Sequence, residues 1–521
     1  MYKQGTGRNQ TILFPPTLEE LIEENNPVRV IDAFADSLDL RQPGFSKTIL
    51  ATTGCNPYNP AMLLKLYIYG YMNRIRSSRK LEKECTRNIE LMWLTGKQTP
   101  KYHTISDFRK NHSRPIREVF RQFVVLCSHW DLPGKELIAI DGSKFRAVNS
   151  KKNNYNRKKT ERHLAYIDNK VQEYLEEIEA NDKKEKGEKH QIKVSDVKEK
   201  IKELKGRKKK YKQLEKQLKD RGELQISTTD KDSRSLIIHR DIVEVSYNAQ
   251  TSVDARHNLL VHYKSTNQND RNALGSMAIE TKHAPGAEEL EVLADKGYHN
   301  GEELAKCKKE KITTYVPPQE YKHNNEVPTE EYYREKFTYN EQKDMYTCPE
   351  GHDLLSNGKW YKRRGIRIKQ YKSKACMDCQ KKHLCTTADN GRVIERHIYQ
   401  KVVEENNKRV RENKEKYLRR QAIAEHPFGT IKRQWGYNYL LLKGLERTDG
   451  ELGLIFLCYN IKRVMNIFGI KDLISKLSTC YNKLTEILAI LSNYMNTKYL
   501  IHKNIAYNKV RLKSLYLLNN Y

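Results

Sequence analysis

Residues 136–145 read ELIAIDGSKF. Leu137, Ile138, Ala139 and Ile140 form an apolar run of the kind used for a buried strand, and the run stops on an acid, Asp141, followed at once by Gly142. Asp-Gly alone is turn chemistry, because the Asp side chain bonds its own backbone and Gly tolerates positive φ. A second stretch repeats the design. In ELEVLADKGYHN, residues 289–300, Leu290, Val292 and Leu293 build the run, Asp295 closes it, and Gly297 and Tyr298 follow. Two strands that each deliver a carboxylate from the C-terminal end supply two ligands for one metal site.

The chain around these strands has 521 residues, too many for one core, so about two to four domains are expected. Lys and Arg number 96 against 66 Asp and Glu, a formal charge of +30. Such a surplus draws polyanions, nucleic acid above all; a solvated Lys-rich surface is the plainer alternative. No apolar segment follows Met1, and the longest apolar run, LGLIFLCYNI, falls well short of the roughly 20 residues that span a bilayer. A cytoplasmic protein with no membrane partner is expected. Ten cysteines in so long a chain do not form a disulfide scaffold; most are expected to be reduced, packed thiols.

Residues 1–133 carry helical signals and are expected to form an all-α N-terminal domain. In YNPAMLLKLYIYGYMNRIRSSRKLEKEC, Asn59 caps, Pro60 suits the first turn, and Leu63, Leu66, Tyr67, Gly70 and Tyr71 keep the spacing of a buried helical face. Arg74, Arg76 and Arg79 follow at a turn, and Arg109 lies in the next basic helix, TISDFRKNHSRPIREVFRQF. These four arginines are the expected DNA contacts of this domain, on a helix-turn-helix or another helical scaffold.

Residues 155–222 change texture. Leu164, Ile167, Val171, Tyr174 and Ile178, then Val197, Ile201, Leu204, Tyr211, Leu214 and Leu218, recur at three- and four-residue steps on either side of a polar break. The pattern predicts an inserted helical hairpin of coiled-coil type. Beyond it the period becomes two. Val243 to Val253 alternate, DARHN turns, and Leu259, Val261 and Tyr263 run back, as antiparallel strands do. A helix from about 271 to 283, the Asp295 strand, the helix NGEELAKCKKE and the strand ITTYV complete the order. Strand, two paired strands, helix, strand, helix, strand is the order of an RNase H-like core, an α/β fold with a mixed five-stranded sheet, over residues 134–318. The missing element is a closing helix with a third acid. YLRRQAIAEHPFGTIKRQWG supplies it within residues 401–469: Glu425, Phe428 and Lys432 share a helical face, with Phe428 toward the sheet and Glu425 toward the two aspartates. Lys432, about 10 Å from Glu425 by helix rise, and Arg433 beside it are expected to meet DNA phosphate.

On these motifs the chain resembles the DDE transposases of bacterial insertion sequences, in the branch with a helical N-terminal domain. The likeness runs from about residue 10 to 465 and includes IDGSKF, STTDKDSR, GYHN and EHPFGTIKR. It implies that Asp141, Asp295 and Glu425 are the catalytic acids. It also implies nucleoid-associated work in a bacterial cytoplasm, on double-stranded DNA as terminal repeats and target, as a homodimer. The Tyr, Arg, Glu, Lys signature of the family is met by Tyr417, Glu425 and Lys432. Arg420 stands five residues before Glu425, where the signature has four, which points it off the Glu425 face; Gln421 fills the signature place.

Three converging carboxylates need a cation to stay ionised together, and oxygen-only ligation favours Mg2+ or Mn2+. Two such ions suit cleavage and joining of phosphodiesters. Between Asp295 and Glu425, residues 319–400 form a cysteine-rich insertion: CPEGH brings Cys348, and CMDCQKKHLC brings Cys376, Cys379 and Cys385, a set that predicts structural Zn2+, with His352 or His383 able to replace one ligand. Residues 470–521 carry a helical pattern and form a C-terminal tail. An active transposase that cuts and joins strands leads over an inactive transposase-derived DNA-binding protein, because all three acids are present.

Overall fold

The computed structural model describes residues 15–46, 48, 56–134, 136–183, 194–239, 242–283, 287–319 and 327–479. The chain divides into two compact units. One holds the described residues up to Phe123 with those from Glu446 on, and the other runs from Val124 to Leu445. No single helix is long and apolar enough to cross a membrane among the described residues. Most of the C-terminal tail lies outside them.

The first unit is all helical. α1 (Pro27–Asp36), α2 (Pro60–Met72), α3 (Ser78–Glu84), α4 (Ile89–Thr95), α5 (Tyr102–Asn111) and the start of α6 (Ser113–His129) form it. Asn26 and Asn59 cap α1 and α2 through their side-chain oxygens, each before a proline that suits the first turn. α2 is buried on every side, Lys65 included; its ammonium reaches Asp32 at 2.6 Å and Asp36 at 2.7 Å. Residues 446–469, read from the sequence as part of the catalytic core's closing helices, pack by compactness in the helical unit, and a buried polar knot shows why. Glu451, fully buried, lies 3.3 Å from the Tyr71 hydroxyl and 3.7 Å from Arg76, and Arg109 donates to Tyr71 Oη at 2.9 Å and to the Arg76 carbonyl at 3.2 Å.

This knot corrects two assignments. Arg76 and Arg109, expected at DNA, are 7% and 6% exposed and face inward. The helix α5 turns its arginine to the core because a buried carboxylate waits there. Arg74 and Arg79 remain at the surface, Arg79 over the Tyr102 ring at 4.9 Å.

The second unit is built on β1 (Leu137–Arg146). β2 (Asn154–Asn156), α7 (Arg157–Lys183), α8 (Val194–Arg221) and β3 (Gln225–Ser227) follow, then β4 (Arg234–His239), β5 (Ile242–Asp254), β6 (Leu260–Thr266), α9 (Leu274–His283), β7 (Leu290–Ala294), α10 (Gly301–Lys309) and β8 (Ile312–Tyr315). The sheet order is β4-β5-β1-β7-β8, with β6 also on β5. β1, β5 and β6 are antiparallel, and β7 and β8 run parallel to β1. A mixed sheet with helices of this order fits an RNase H-like core. It has six strands where five were expected, because β4 folds back on the first residues of a β5 long enough to pair β4, β1 and β6.

The inserted hairpin is present as α7 and α8. Ile167, Leu204, Tyr211, Leu214 and Leu218 form its core, with Leu164, Val171 and Tyr174 against them. The 319–400 insertion is largely a sheet: β9 (Thr338–Asn340), β10 (Met345–Thr347), β11 (Asp353–Ser356), β12 (Tyr361–Arg363), β13 (Ile366–Lys372), a short α11 (Lys382–Cys385) and β14 (Val393–His397), around Phe337, Tyr346, Leu354, Tyr371 and Ile394. α12 (Gln400–Glu412) and α13 (Lys414–Phe428) return the chain to the central sheet, and α14 (Leu445–Phe468) carries Glu451 in the first unit.

Removing one partner of a buried ion pair strands the other, so Arg76→Ala, which leaves Glu451 without its paired cation, is expected to cost about 3 kcal/mol or more. Arg79→Ala, at the surface, should cost less than about 0.5 kcal/mol. Urea unfolding of the two variants beside the parent measures both.

Candidate active site

The strand that carries Asp141 does not end there. β1 continues through Gly142 to Arg146, paired with β5 along its length from Ile138↔Asp254 to Arg146↔Ser246. What ends is the neighbour on the other side: the parallel register with β7 runs only to Ile140↔Ala294. Asp295 then caps a short 3-10 turn, its Oδ1 accepting the Gly297 amide at 2.8 Å, and β7 leaves the sheet. Asp141 and Asp295 therefore each follow the last paired residues, Ile140 and Ala294, of two adjacent parallel strands, beside a notch in the sheet. Asp141 Oδ1 takes the Gly142 amide at 2.8 Å. Neither carboxylate has an ion pair among the described residues. Burial pushes Asp141 up to about 6; the Gly142 amide and Arg420 pull the other way, and Asp295 and Asp270 add to the rise.

Asp270 is the acid that sequence reasoning missed. It accepts from the amides of Asn248 (2.8 Å) and Gln250 (2.6 Å) and pairs with Lys144 at 2.9 Å. Gln250 accepts in turn from the fully buried Tyr298 hydroxyl at 2.5 Å, a phenol held well above its ordinary pKa by burial and by Asp270, Asp141 and Asp295. This network crosses directly over Gly142, where a β-carbon would run into Asp270, Gln250 and Asn248. Glycine stands after Asp141 for that close approach and not for a turn. The available signal was alternation: Asn248 and Gln250 are polar residues at buried positions of β5, which need a partner.

α13 packs on β1, β5 and β7, where a closing helix was expected. Ile423, Ala424, Pro427 and Phe428 are buried, and Phe428 meets Phe145 with ring centroids 6.4 Å apart. Glu425 is exposed. Arg420, which residue spacing pointed away, is the α13 charge that acts on Asp141. The straight-helix count also fails at Lys432. Pro427 lacks an amide proton, and Gly429–Gln434 adopt a π-helix that shifts the register of faces. Lys432 turns onto β1, donating to the Lys144 carbonyl at 2.6 Å, 4.5 Å from the Phe145 ring centroid. Burial, then Lys144, pushes it down to about 8. Arg433 stays exposed.

No group of three or more His, Cys, Asp or Glu is arranged to hold a metal ion among the described residues. Asp141 and Asp295 fit a hard divalent cation in donor chemistry, adjacency and lack of cationic partners; the third acid is not gathered with them. The zinc expectation is not supported. Cys348, Cys376, Cys379 and Cys385 line one cavity of about 20 Å³, but they do not converge as a ligand set. Cys385 is a thiol pushed up to about 11, by burial and then, against the pull of Arg392, by the other three cysteines. The insertion has a core of its own, Phe337, Tyr346, Leu354, Tyr371 and Ile394, with Cys348 and Cys385 packed against it.

Residues 16–111 match the model of a transposase domain (DUF772), and residues 347–465 match that of a transposase DDE domain. With these two matches on one chain, the protein is an insertion-sequence DDE transposase, and so an enzyme. DDE transposases as a class use divalent metals such as Mg2+. No curated protein matches the chain. A cryo-EM structure of the piggyBac transposase synaptic complex with hairpin DNA aligns over 88% of this chain and 80% of its own, at 9% identity and a TM-score of 0.30.

A carboxyl whose folded pKa is raised binds its proton more tightly in the folded state, so the chelated protein loses stability as pH rises from about 4 through 6. Asp141→Asn removes that loss. The variant should match the parent near pH 4 and exceed it at pH 7 by on the order of 1 kcal/mol, allowing for partial exposure; thermal unfolding in chelator across that range is the measurement. Gly142→Ala, by contrast, should destabilise by about 1–3 kcal/mol at every pH, as overpacking does.

Proposed function

We propose that this transposase binds the ends of its element in duplex DNA, cleaves DNA strands there and joins the 3′ ends to target DNA. The observation that carries the reading is the pair Asp141 and Asp295, delivered side by side where the parallel register stops. Both carboxylates keep an oxygen free of backbone amides and cationic side chains. Asp141 and Asp295 would hold the divalent ions, with Glu425 on the packed helix α13 as the third ligand. When bound, such ions activate water or a 3′-hydroxyl for in-line attack and steady the leaving oxygen.

The chain's own residues prepare that site. Asp270 holds Lys144, Asn248 and Gln250 over Gly142, so the floor beside Asp141 is rigid. Lys432 and Arg420 bring positive charge beside Asp141, where a scissile phosphate would enter. Arg74, Arg79 and Arg433, exposed, are free to meet phosphate oxygens, which position DNA without reading its sequence. Two element ends call for two such sites, and therefore for a pair of copies on DNA.

Strand cleavage on labelled terminal DNA with Mg2+ tests the reading. Asp141→Asn, Asp295→Asn and Glu425→Gln should each bind the ends as the parent does and cut below detection. A Glu425→Gln variant that cuts at the parental rate removes Glu425 from the site; a parent that binds and never cuts with any divalent metal overturns the reading.

A further inference from the structure

The inserted hairpin has a charge asymmetry that its packing does not use. Residues 205–212, KGRKKKYK, hold six Lys or Arg and no acid, in the middle of α8. Lys208 alone of these pairs across the hairpin, with Asp168 of α7. Lys205, Arg207, Lys209, Lys210 and Lys212 are exposed and form no ion pair among the described residues. Lys205, Lys209, Lys212 and Lys216 stand at i, i+4, i+7 and i+11, one stripe over about 16 Å of helix. The hydrophobic positions Leu204, Tyr211, Leu214 and Leu218 occupy a different face. α7 differs: its exposed acids include Glu176, Glu177 and Glu179, and its cations Arg157 and Lys170 are paired with Glu161 and Glu173.

The arm is joined to the catalytic strand by a short, bonded base. β2 pairs with β3 from Asn154↔Ser227 to Asn156↔Gln225. Asn154 donates to Gln225 at 2.7 Å and to Ser235 on β4, and the Ser227 hydroxyl donates to the Ser233 carbonyl at 2.8 Å and lies 3.1 Å from Asn154 Oδ1. Only residues 147–153 separate β1 from this base. A polyanion bound along α8 is therefore tied to the strand that carries Asp141.

We infer that the α8 stripe is a docking surface for the phosphate backbone of duplex DNA, outside the base-reading contacts of the protein. The stripe itself is built of ammonium groups, chemistry that meets phosphates and carries no sequence information. This rests on the transposition reading in taking DNA as the polyanion.

The test uses the full chain with Lys205, Lys209, Lys212 and Lys216 changed together to Gln, or together to Arg. Binding to duplex DNA of terminal and of unrelated sequence is measured across a salt series. Each phosphate that a lysine ceases to neutralise lowers the slope of log K against log salt by about 0.9, so the Gln variant should fall by up to about 3.6 on both duplexes and the Arg variant should not. Both keep the hydrophobic face, and unchanged helical circular dichroism confirms the arm. An unchanged slope in the Gln variant overturns the arm's role while leaving transposition standing. A parent that binds no duplex at low salt overturns both. Dissociation of a DNA-free oligomer in the Gln variant, with the slope unchanged, would assign the stripe to a second copy of the chain instead.

Discussion

The active site depends on an asymmetry in how one strand is paired. Up to Ile140, β1 has hydrogen-bonded neighbours on both sides; from Asp141 to Phe145 its strand partner is β5 alone, and a second neighbour returns only at Arg146, which bridges to Tyr439. Continuity with β5 keeps Asp141 on a rigid strand, and the departure of β7 leaves its side chain room to face Asp295. Had both strands stopped together, the two carboxylates would sit on loops, where position is held less well. The consequence of this arrangement is two adjacent acids that form no ion pair among the described residues. Burial already drives Asp141 toward its neutral form, which is the state a divalent cation would reverse.

Around that notch the polar groups form a continuous structure. Tyr298, three residues past Asp295, reaches Gln250 on β5; Gln250 and Asn248 reach Asp270; Asp270 reaches Lys144 on β1. Both strand ends are thereby tied to one network. A similar arrangement governs the motif 227–234: Ser227, Asp230 and Ser233 are buried, the Tyr247 hydroxyl donates to Asp230 at 2.7 Å, and the same carboxylate oxygen takes the Gly444 amide at 3.0 Å. These residues pin the hairpin base and the chain leaving α13 to β5. Their role is to hold the site's frame.

Charge is distributed by use. The helical unit sends Arg76 and Arg109 inward to Glu451 and Tyr71, since a buried carboxylate without partners would be far more costly than two desolvated guanidiniums. The cysteine-bearing insertion satisfies its own interior similarly. Asp344 accepts from Tyr339 (2.7 Å), Tyr371 (2.6 Å) and Lys369 (2.7 Å), and although burial alone would raise it, these three partners bring its carboxyl down to about 2. Much of the surplus positive charge is then left to surfaces such as α8.

Periodic and local signals were legible in the chain itself. The apolar run into Asp141, its repeat at Asp295, the alternation of β5 and β6 and the three-and-four spacing of α7 and α8 all reflect local geometry, which repeats along the sequence. So do the asparagine caps with their following prolines. What the tertiary structure alone decided was which neighbours each residue meets. Arg109 points inward because Glu451, more than three hundred residues away, is buried beside it. Asp270 joins the site because β5 and β6 fold it over Gly142. Lys432 lies on β1 because Pro427 breaks the α-helical count and a π turn follows. Four cysteines at promising spacings line one cavity without converging. In each case the pattern set the residue's type and local conformation, while long-range packing and desolvation determined where its side chain could find a partner.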